Sequence, residues 1–255
     1  MRAIGIIALN TVRETLRDKI LYNLLFFALS LIGGSVLLGE LTIMEHHKIV
    51  TDMGLAAING VGVVLGMFVG IGLVSKEIER RTIYTIMARP ITRTQFILGK
   101  YAGLIITLIA NMLVMLGVYV LTLWASEAPV SLALLQAVQL MVVEVLLVTA
   151  LALFFSTFTS ATLSAILTVG VFIIGHLTTD LKGIAEKSKD GIVKDLMTGL
   201  YYMCPNLEVL NIKGQAAIGR LVPMSYQLLT SAYGLLYAAL LIAVACLIFE
   251  RREFR

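Results

Sequence analysis

Long apolar runs alternate with short polar stretches along the whole chain. A helix needs about 17–25 apolar residues to cross roughly 30 Å of hydrocarbon. Six stretches reach that length: 20–39, 54–74, 101–124, 132–155, 161–178 and 228–249. None of them alternates with a period of two, so the pattern predicts helices and excludes a transmembrane β-barrel. We therefore expect an all-α, polytopic membrane protein, with residues 1–255 forming a single domain of six transmembrane helices.

The composition supports this interpretation and excludes other classes of protein. Apolar residues make up 59% of the 255 residues and charged residues only 14%, and the mean hydropathy is +0.94. Soluble domains carry about 25% charged residues, and a soluble core of this length could not hide so much apolar surface from water. An ordinary soluble enzyme, a disordered chain and a nucleic-acid-binding domain are therefore excluded. The net charge of +4 then reflects lysines and arginines at the membrane surface.

The distribution of lysine and arginine predicts the orientation of the chain in the membrane. With six spans both termini lie on one side, and that side carries thirteen lysines and arginines. The opposite side carries Lys48 in its short loops and six more in the 179–227 connection. Long connections have little weight in the positive-inside rule, so the thirteen mark the cytoplasmic side. Both termini are therefore expected in the cytoplasm.

Two segments that do not cross the membrane are predicted to lie at its surfaces. Residues 1–19 place apolar side chains such as Ile4 and Ala8 on one arc of a helix and charged side chains on another. This is typical of an amphipathic helix that lies in the membrane interface. The external 179–227 connection mixes charged and apolar residues, and it contains Cys204, expected as a free thiol. We expect it to fold back as a re-entrant segment of short helices against the outer leaflet.

The cytoplasmic loop 75–100 has more local structure than a simple connection needs. Apolar residues at helical spacing predict a short helix over 76–88. Pro90 ends it, because the residue before a proline is pushed out of the helical region. Thr92 and Gln95 then form a Thr-x-x-Gln capping box that starts the helix of the third span. A rigid helix followed by a proline corner indicates a surface that contacts a partner.

Signatures of catalysis, nucleotide binding and metal binding fail when they are tested. Gly99 and Lys100 resemble the end of a phosphate-binding loop, but Tyr101 follows them where a serine or threonine would bind magnesium. His46 and His47 are adjacent and would point apart on a helix, with no third ligand evident. We therefore expect no catalytic residue, no metal site and no cofactor in this chain.

Glu144 is the only charged residue in the six spans and lies at the midpoint of the fourth. A charge there costs roughly 2.5–3.5 kcal/mol on insertion scales. Asn111, on the third span, lies at nearly the same depth. The two side chains are therefore predicted to form an intramembrane polar pair that fixes the hairpin of these spans. In the alternative, Glu144 belongs to a transport path or carries a proton.

Small residues recur at every fourth position on the second and fifth spans. They are Gly62, Gly66 and Gly70 on the second, and Ser160, Ser164 and Thr168 on the fifth. Such spacing lets helix backbones approach closely. Packing within the chain is the simplest explanation, and a subunit interface or the wall of a substrate pathway is the alternative. His176, near the outer end of the fifth span, is expected to be a hydrogen-bonded interface histidine rather than a ligand.

Four separated motifs resemble the permeases of type-2 ABC exporters. They are an entrance helix at 13–22, the cytoplasmic loop with 77–82 (EIERRT), 89–93 (RPITR) and 99–101 (GKY), an external motif, and the ending 249–254 (FERREF). The external motif is Pro205, Asn206, Leu207 and Glu208. The resemblance runs from end to end of the chain. The nearest branch is the one named for multicopper-enzyme maturation.

The resemblance implies a partner for the cytoplasmic loop. Residues 76–93 would be a coupling helix seated on a cytosolic ABC ATPase, through Glu77, Glu79, Arg80, Arg81, Thr82, Arg89, Pro90 and Arg93. Two ATPase copies would bind ATP and Mg, and two permease subunits, most simply a homodimer, would line a central path with their second and fifth spans. Transport would follow by alternating access. The resemblance also implies a prokaryotic cell membrane, a lipid bilayer as the surroundings, no nucleic acid, and an external accessory protein as a further candidate partner.

Two other functions stay open at this stage. A secondary transporter driven by protons at Glu144 would need no cytoplasmic docking loop. A membrane anchor or scaffold for a copper- or sulfur-handling assembly would also fit, because type-2 permeases can serve dedicated external partners. ATP turnover stimulated by a candidate cargo would separate transport from scaffolding.

Overall fold

A computed structural model describes residues 2–40, 46–79, 92–188 and 190–251, and every regular element within these ranges is a helix. The prediction of an all-α protein is confirmed. The helices are α1 (Arg2–Leu16), α2 (Lys19–Glu40), α3 (His46–Glu79), α4 (Arg93–Ala125), α5 (Leu132–Ser156), α6 (Ala161–His176), α7 (Thr178–Lys187), α8 (Gly191–Met203), a 3₁₀ turn (Glu208–Leu210), α9 (Lys213–Ala217) and α10 (Met224–Arg251).

Among the described residues, five helices are long and apolar enough to cross a membrane, namely α2, α3, α4, α5 and α10. The predicted fifth span, 161–178, is instead broken at Leu177. It consists of α6, with 16 residues, followed by α7 at an angle of 65°. The Gly175 carbonyl accepts hydrogen bonds from the Thr178 hydroxyl and from the N–H of Leu207, and these bonds end the helix there. The bent pair gives a sixth span if it is counted as one.

The centre of the bundle is α5, packed against α3, α6 and α10. In the most apolar stretch of each helix, the buried share is 78% for α5 and 72% for α3, but only 22% for α2. The buried residues of α5 lie all round the helix instead of on one face. This is the pattern of a helix that is surrounded on every side by other helices.

The bundle has two ends that matter for function. At the loop end, α3 finishes at Glu79 and α4 starts at Arg93, and both α1 and the last turn of α10 pack on α4. At the connection end, the bend between α6 and α7 is followed by the α7–α8 hairpin, the 3₁₀ turn and α9. The short helices predicted for the 179–227 connection are therefore present.

Helix ends differ from the predicted ends of the spans. The predicted second span, 54–74, belongs to the longer helix α3, because polar residues at both of its ends continue the helix beyond the apolar run. Residues 76–79 are thus the end of α3 instead of the start of a separate helix over 76–88, and residues 80–91 lie outside the described ranges. The capping box is confirmed: Thr92 Oγ1 accepts from the Gln95 N–H at 3.2 Å, and Gln95 Oε1 accepts from the Thr92 N–H at 3.3 Å.

Candidate functional site

The loop end joins α4 to α10 directly beside the predicted docking loop. Arg93 Nη1 donates to the backbone carbonyl oxygens of Phe249 at 3.1 Å and of Glu250 at 3.0 Å. Phe96 stacks on the Phe249 ring with centroids 5.9 Å apart. The last carbonyls of a helix lack donors within that helix, so Arg93 caps α10. The start of α4 and the end of α10 are thereby fixed to each other.

Close packing of α1 on α4 extends this junction. A Cβ atom on Gly99 would lie 2.7 Å from the Ile7 side chain, and one on Gly103 would lie 2.6 Å from a carbonyl oxygen of α1. Only glycine allows the two backbones to approach so closely. Between these glycines, Lys100 is almost fully buried and pairs with Glu14 of α1 at 3.1 Å. The GKY motif of the sequence thus joins α1 to the helix that leaves the loop.

A buried polar cluster lies where α3, α5 and α6 meet. Glu144 of α5 is fully buried. Its Oε2 accepts a hydrogen bond from Nδ2 of Asn59 in α3 at 3.2 Å. Its Oε1 lies 3.2 Å from Nε2 of His176, the last residue of α6. A single carboxyl group therefore links three helices.

The structure replaces the predicted pair of Asn111 and Glu144. Asn111 is buried, and its Nδ2 donates to the Thr107 carbonyl oxygen of its own helix at 3.1 Å. Its helix, α4, packs only lightly on α5, whereas α3 packs closely on it. The carboxyl group of Glu144 therefore reaches a partner on α3 and not the amide on α4.

The glycines of α3 face α5 at every fourth position. Cβ atoms added to Gly62, Gly66 and Gly70 would lie 3.2, 2.5 and 3.0 Å from side-chain atoms of α5. The closest contact is between Gly66 and the hydroxyl oxygen of Thr149. Close packing within the chain accounts for this stripe.

The second predicted stripe, on α6, has mixed roles. Ser160 caps the helix, since its Oγ accepts from the N–H of Leu163. Ser164 and Thr168 are fully buried, and the Thr168 hydroxyl donates to the Ser164 carbonyl oxygen at 2.7 Å. Exposed apolar side chains on this helix are Leu163, Ile166, Val169 and Ile173.

The external motif fastens the connection end to the bundle. Leu207 is fully buried, and its N–H donates to the Gly175 carbonyl oxygen at 2.9 Å. The Asn206 N–H donates to the hydroxyl of Tyr233 in α10 at 2.8 Å. Glu208 Oε2 accepts from the Asn211 side chain at 3.4 Å. The motif is therefore a structural clasp between α6 and α10.

Gly175 connects this clasp to the buried cluster. A Cβ atom on Gly175 would lie 2.8 Å from the Pro205 carbonyl oxygen and 2.8 Å from Leu207 Cγ. The next residue along the chain is His176, which contacts Glu144. The clasp and the cluster therefore share the last turn of α6.

Comparison with known protein families identifies the family of this chain. The family described as ABC-2 family transporter protein matches residues 6–254, which is nearly the whole chain. The chain belongs to the ABC-2 transporter family. A search among curated proteins finds no match. Membership supports a multi-pass membrane protein that serves as the permease subunit of an ABC transporter, and it implies coupling to an ABC ATPase.

In this ABC-2 permease the predicted docking residues fall into three groups. Glu77 and Glu79 belong to the last turn of α3. Arg93 is bound to the end of α10. The others lie outside the described residues: Arg80, Arg81, Thr82, Arg89 and Pro90. The described ends of the loop thus belong to the helices α3 and α4.

The partners of Glu144 could not be found from the predicted spans. Asn59 is the only amide residue in the predicted second span, 54–74. Since α3 begins at His46, Asn59 lies 13 residues into its helix and Glu144 lies 12 residues into α5. The two residues therefore have similar depths, as do Glu144 and Asn111. The choice between them depends on which helices pack together, and no local signal in the sequence gives that.

Proposed function

We propose that this ABC-2 permease exports its substrate by alternating access, driven by a separate cytosolic ATPase that docks on residues 76–93. The observation that carries the proposal is the junction at the loop end. The loop leaves α3 at Glu79 and enters α4 at Arg93, and Arg93 fixes α4 to α10 while α1 packs on the same turns. A force on the loop would therefore reach four helices together, as a rigid-body switch requires.

The proposed assembly contains two permease subunits, as a homodimer, and two ATPase subunits that bind ATP and Mg. Both termini and the docking loop lie in the cytoplasm of a prokaryotic cell, with the permease in its cell membrane. Purified alone, the chain should hydrolyse no ATP. The exposed apolar face of α6 supports a place for this helix between the two subunits.

Two surface segments complete the proposed arrangement in the membrane. The α1 helix would lie in the inner interface, which is supported by the exposed side chains of Ile6 and Leu9. The α7–α8 hairpin would lie against the outer leaflet. The α8 helix exposes Ile192, Leu196 and Met203, which are spaced so that they share one face.

Reversal of the two arginines in the loop tests the docking site. Replacing both Arg80 and Arg81 by glutamate should leave insertion intact, because the flanking lysines and arginines still set the orientation. It should separate the ATPase, since like-charge contacts cost several kcal/mol at an interface. The measurement is co-purification of the ATPase from the native host, followed by ATP-driven transport in the reconstituted complex.

A matched control carries the same change of charge at the other end of the bundle. Lys182 and Lys194 are exposed on the α7–α8 hairpin, and replacing both by glutamate should leave ATPase binding unchanged. If the reversed arginines still allow co-purification and transport, the ATPase docks elsewhere.

The resemblance to the branch named for multicopper-enzyme maturation suggests an external accessory protein near the 205–208 clasp. ATP turnover of the reconstituted complex distinguishes a transporter from a scaffold. In a transporter, the rate of ATP turnover should rise when a cargo is added. In a scaffold, adding the cargo should produce no such rise.

A further inference from the structure

We propose that Glu144 and His176 form a binding site for one proton inside the bundle, and that this proton holds the last turn of α6 to α5. The site is built from three helices and lies beside the external clasp. It depends only on contacts within this chain, so it stands independently of where an ATPase docks.

Both ring nitrogens of His176 face oxygen acceptors. Nε2 lies 3.2 Å from Glu144 Oε1, and Nδ1 lies 3.1 Å from the Phe172 carbonyl oxygen. A neutral imidazole has one N–H, so it can donate to one of these oxygens and must turn a lone pair towards the other. Both contacts are satisfied only when the pair holds one more proton, on the ring or on the carboxyl group.

The rest of the cluster cannot supply this hydrogen. Asn59 Nδ2 donates to Oε2 of Glu144, the other oxygen of the carboxyl group. Within the described residues and apart from the His176 ring, neither Oε1 of Glu144 nor Oδ1 of Asn59 has a hydrogen-bond donor. Buried acceptors without donors cost free energy. The cluster therefore has more acceptors than donors, and a proton bound between Glu144 and His176 supplies the hydrogen that the Oε1 contact needs.

The charges around the pair also favour a single bound proton. An ionised carboxylate without a partner is costly inside a bilayer, and one shared proton makes the pair of Glu144 and His176 neutral overall. Lys213, on α9, is the other charged group that acts on the ring in the described part of the chain. Its positive charge opposes a second proton. The pair of Glu144 and His176 is therefore expected to bind one proton and not two.

The position of the pair connects this proton to the conformation of the connection end. The His176 side chain is 21% exposed while Glu144 is fully buried, so a proton can enter at the ring. Without it, the neutral ring donates to only one of the two oxygens. Either it turns a lone pair towards Glu144, or it still donates to Glu144 but no longer neutralises the charge of the carboxylate. The contact that holds α6 to α5 is then weakened directly beside Gly175, which carries the clasp through Leu207. Proton loss should therefore loosen the bend after α6.

The test observes the ring directly in the full chain. The protein has three histidines, so His46→Gln and His47→Gln leave His176 as the only histidine. The full chain, labelled with ¹⁵N in its histidine and placed in lipid nanodiscs, is titrated between about pH 5 and pH 9, the range in which histidines change charge. Proton loss from the pair should appear as one transition in the imidazole nitrogen signals.

Glu144→Gln is the informative variant, because its amide can donate to the Nε2 lone pair while Asn59 still donates to its oxygen. The contact survives without a shared proton and without the negative charge. The ring transition should therefore move to lower pH by at least about one unit, a tenfold change in proton affinity. Glu186→Gln removes the same charge from an exposed position on α7 and should leave the transition in place. An unmoved transition in Glu144→Gln overturns the proposal.

A second measurement does not require Glu144→Gln to fold. Above the pH at which an unfolded histidine loses its proton, the native chain should still hold one, so its thermal stability should fall as the pH rises through the transition. His176→Gln keeps an amide donor for Glu144 but has no titrating ring, and it should lose this part of the pH dependence. A wild-type stability that does not change across the transition contradicts the proposal.

Discussion

Single glycines decide how closely α3 packs on α5. A Cβ atom on Gly66 would lie 2.5 Å from Thr149 Oγ1, and that hydroxyl donates to the Val145 carbonyl oxygen at 2.7 Å. The hydroxyl cannot rotate away without losing this bond. Gly66→Ala should therefore lower the free energy of unfolding by about 1–3 kcal/mol, the usual effect of overpacking. Reversible unfolding of the full chain in detergent measures it.

Gly60 provides the control for this prediction, on the same helix. It is exposed, and a Cβ atom there would meet nothing within 4 Å. Gly60→Ala should leave stability unchanged or raise it slightly, since alanine is the better helix former. Equal losses in the two variants would show that helix packing is not the reason for the glycine stripe.

Local and non-local interactions of single residues differed in how well the sequence predicted them. The Thr92–Gln95 capping box was predicted because both partners lie within four residues of each other and need only the helix start to form. The partners of Glu144 lie 85 residues before it on Asn59 and 32 residues after it on His176. Contacts of that kind depend on the arrangement of helices, which hydropathy does not specify.

At the scale of helices, the junction of α4 with α10 depends on Arg93. Its guanidinium donates to two carbonyl oxygens in the last turn of α10. Arg93→Gln should release that turn, because the shorter amide cannot reach both carbonyls and carries no charge. Hydrogen–deuterium exchange of the peptide that contains Phe249 should become faster. The exchange of α5, in the centre of the bundle, should not change.

Arg220→Gln is a suitable control for Arg93→Gln. Arg220 is exposed at the connection end, far along the chain from the loop, and its replacement should leave exchange at Phe249 unaltered. If Arg93→Gln also leaves it unaltered, the stacking of Phe96 on Phe249 and the hydrogen bond from Thr94 to Glu250 hold the junction without the guanidinium.

The existence of the membrane helices was predictable, while their ends were not. Apolar runs mark the part of a helix that lies in hydrocarbon, and α3 extends past its run at both ends with polar residues. The predicted fifth span ended at 178, but the helix stops at His176, because the clasp residue Leu207 takes the Gly175 carbonyl. A contact from 32 residues further along the chain, together with the Thr178 hydroxyl, thus ends the helix before the end of the apolar run.

At the scale of the whole molecule, the loop end and the connection end carry two different kinds of site. The loop end fixes helices to one another beside a segment of charged sequence, which suits the docking of another protein. The connection end combines a clasp with a buried pair that needs a proton. If the loop end lies in the cytoplasm, the proton site is nearer the external surface. The orientation of the chain therefore decides from which side protons reach His176.

Labelling of Cys204 measures that orientation. This thiol is half-buried at the end of α8, on the connection end, while Cys246 is buried in α10. A membrane-impermeant thiol reagent added to intact cells should label the wild type and not Cys204→Ser. Burial raises the pKa of the Cys204 thiol, and the thiolate is the reactive form, so the labelling rate should increase as the pH rises above neutrality. Labelling that appears only after the cells are opened, without denaturant, would place the connection end in the cytoplasm, and protons would then reach His176 from the cytoplasmic side.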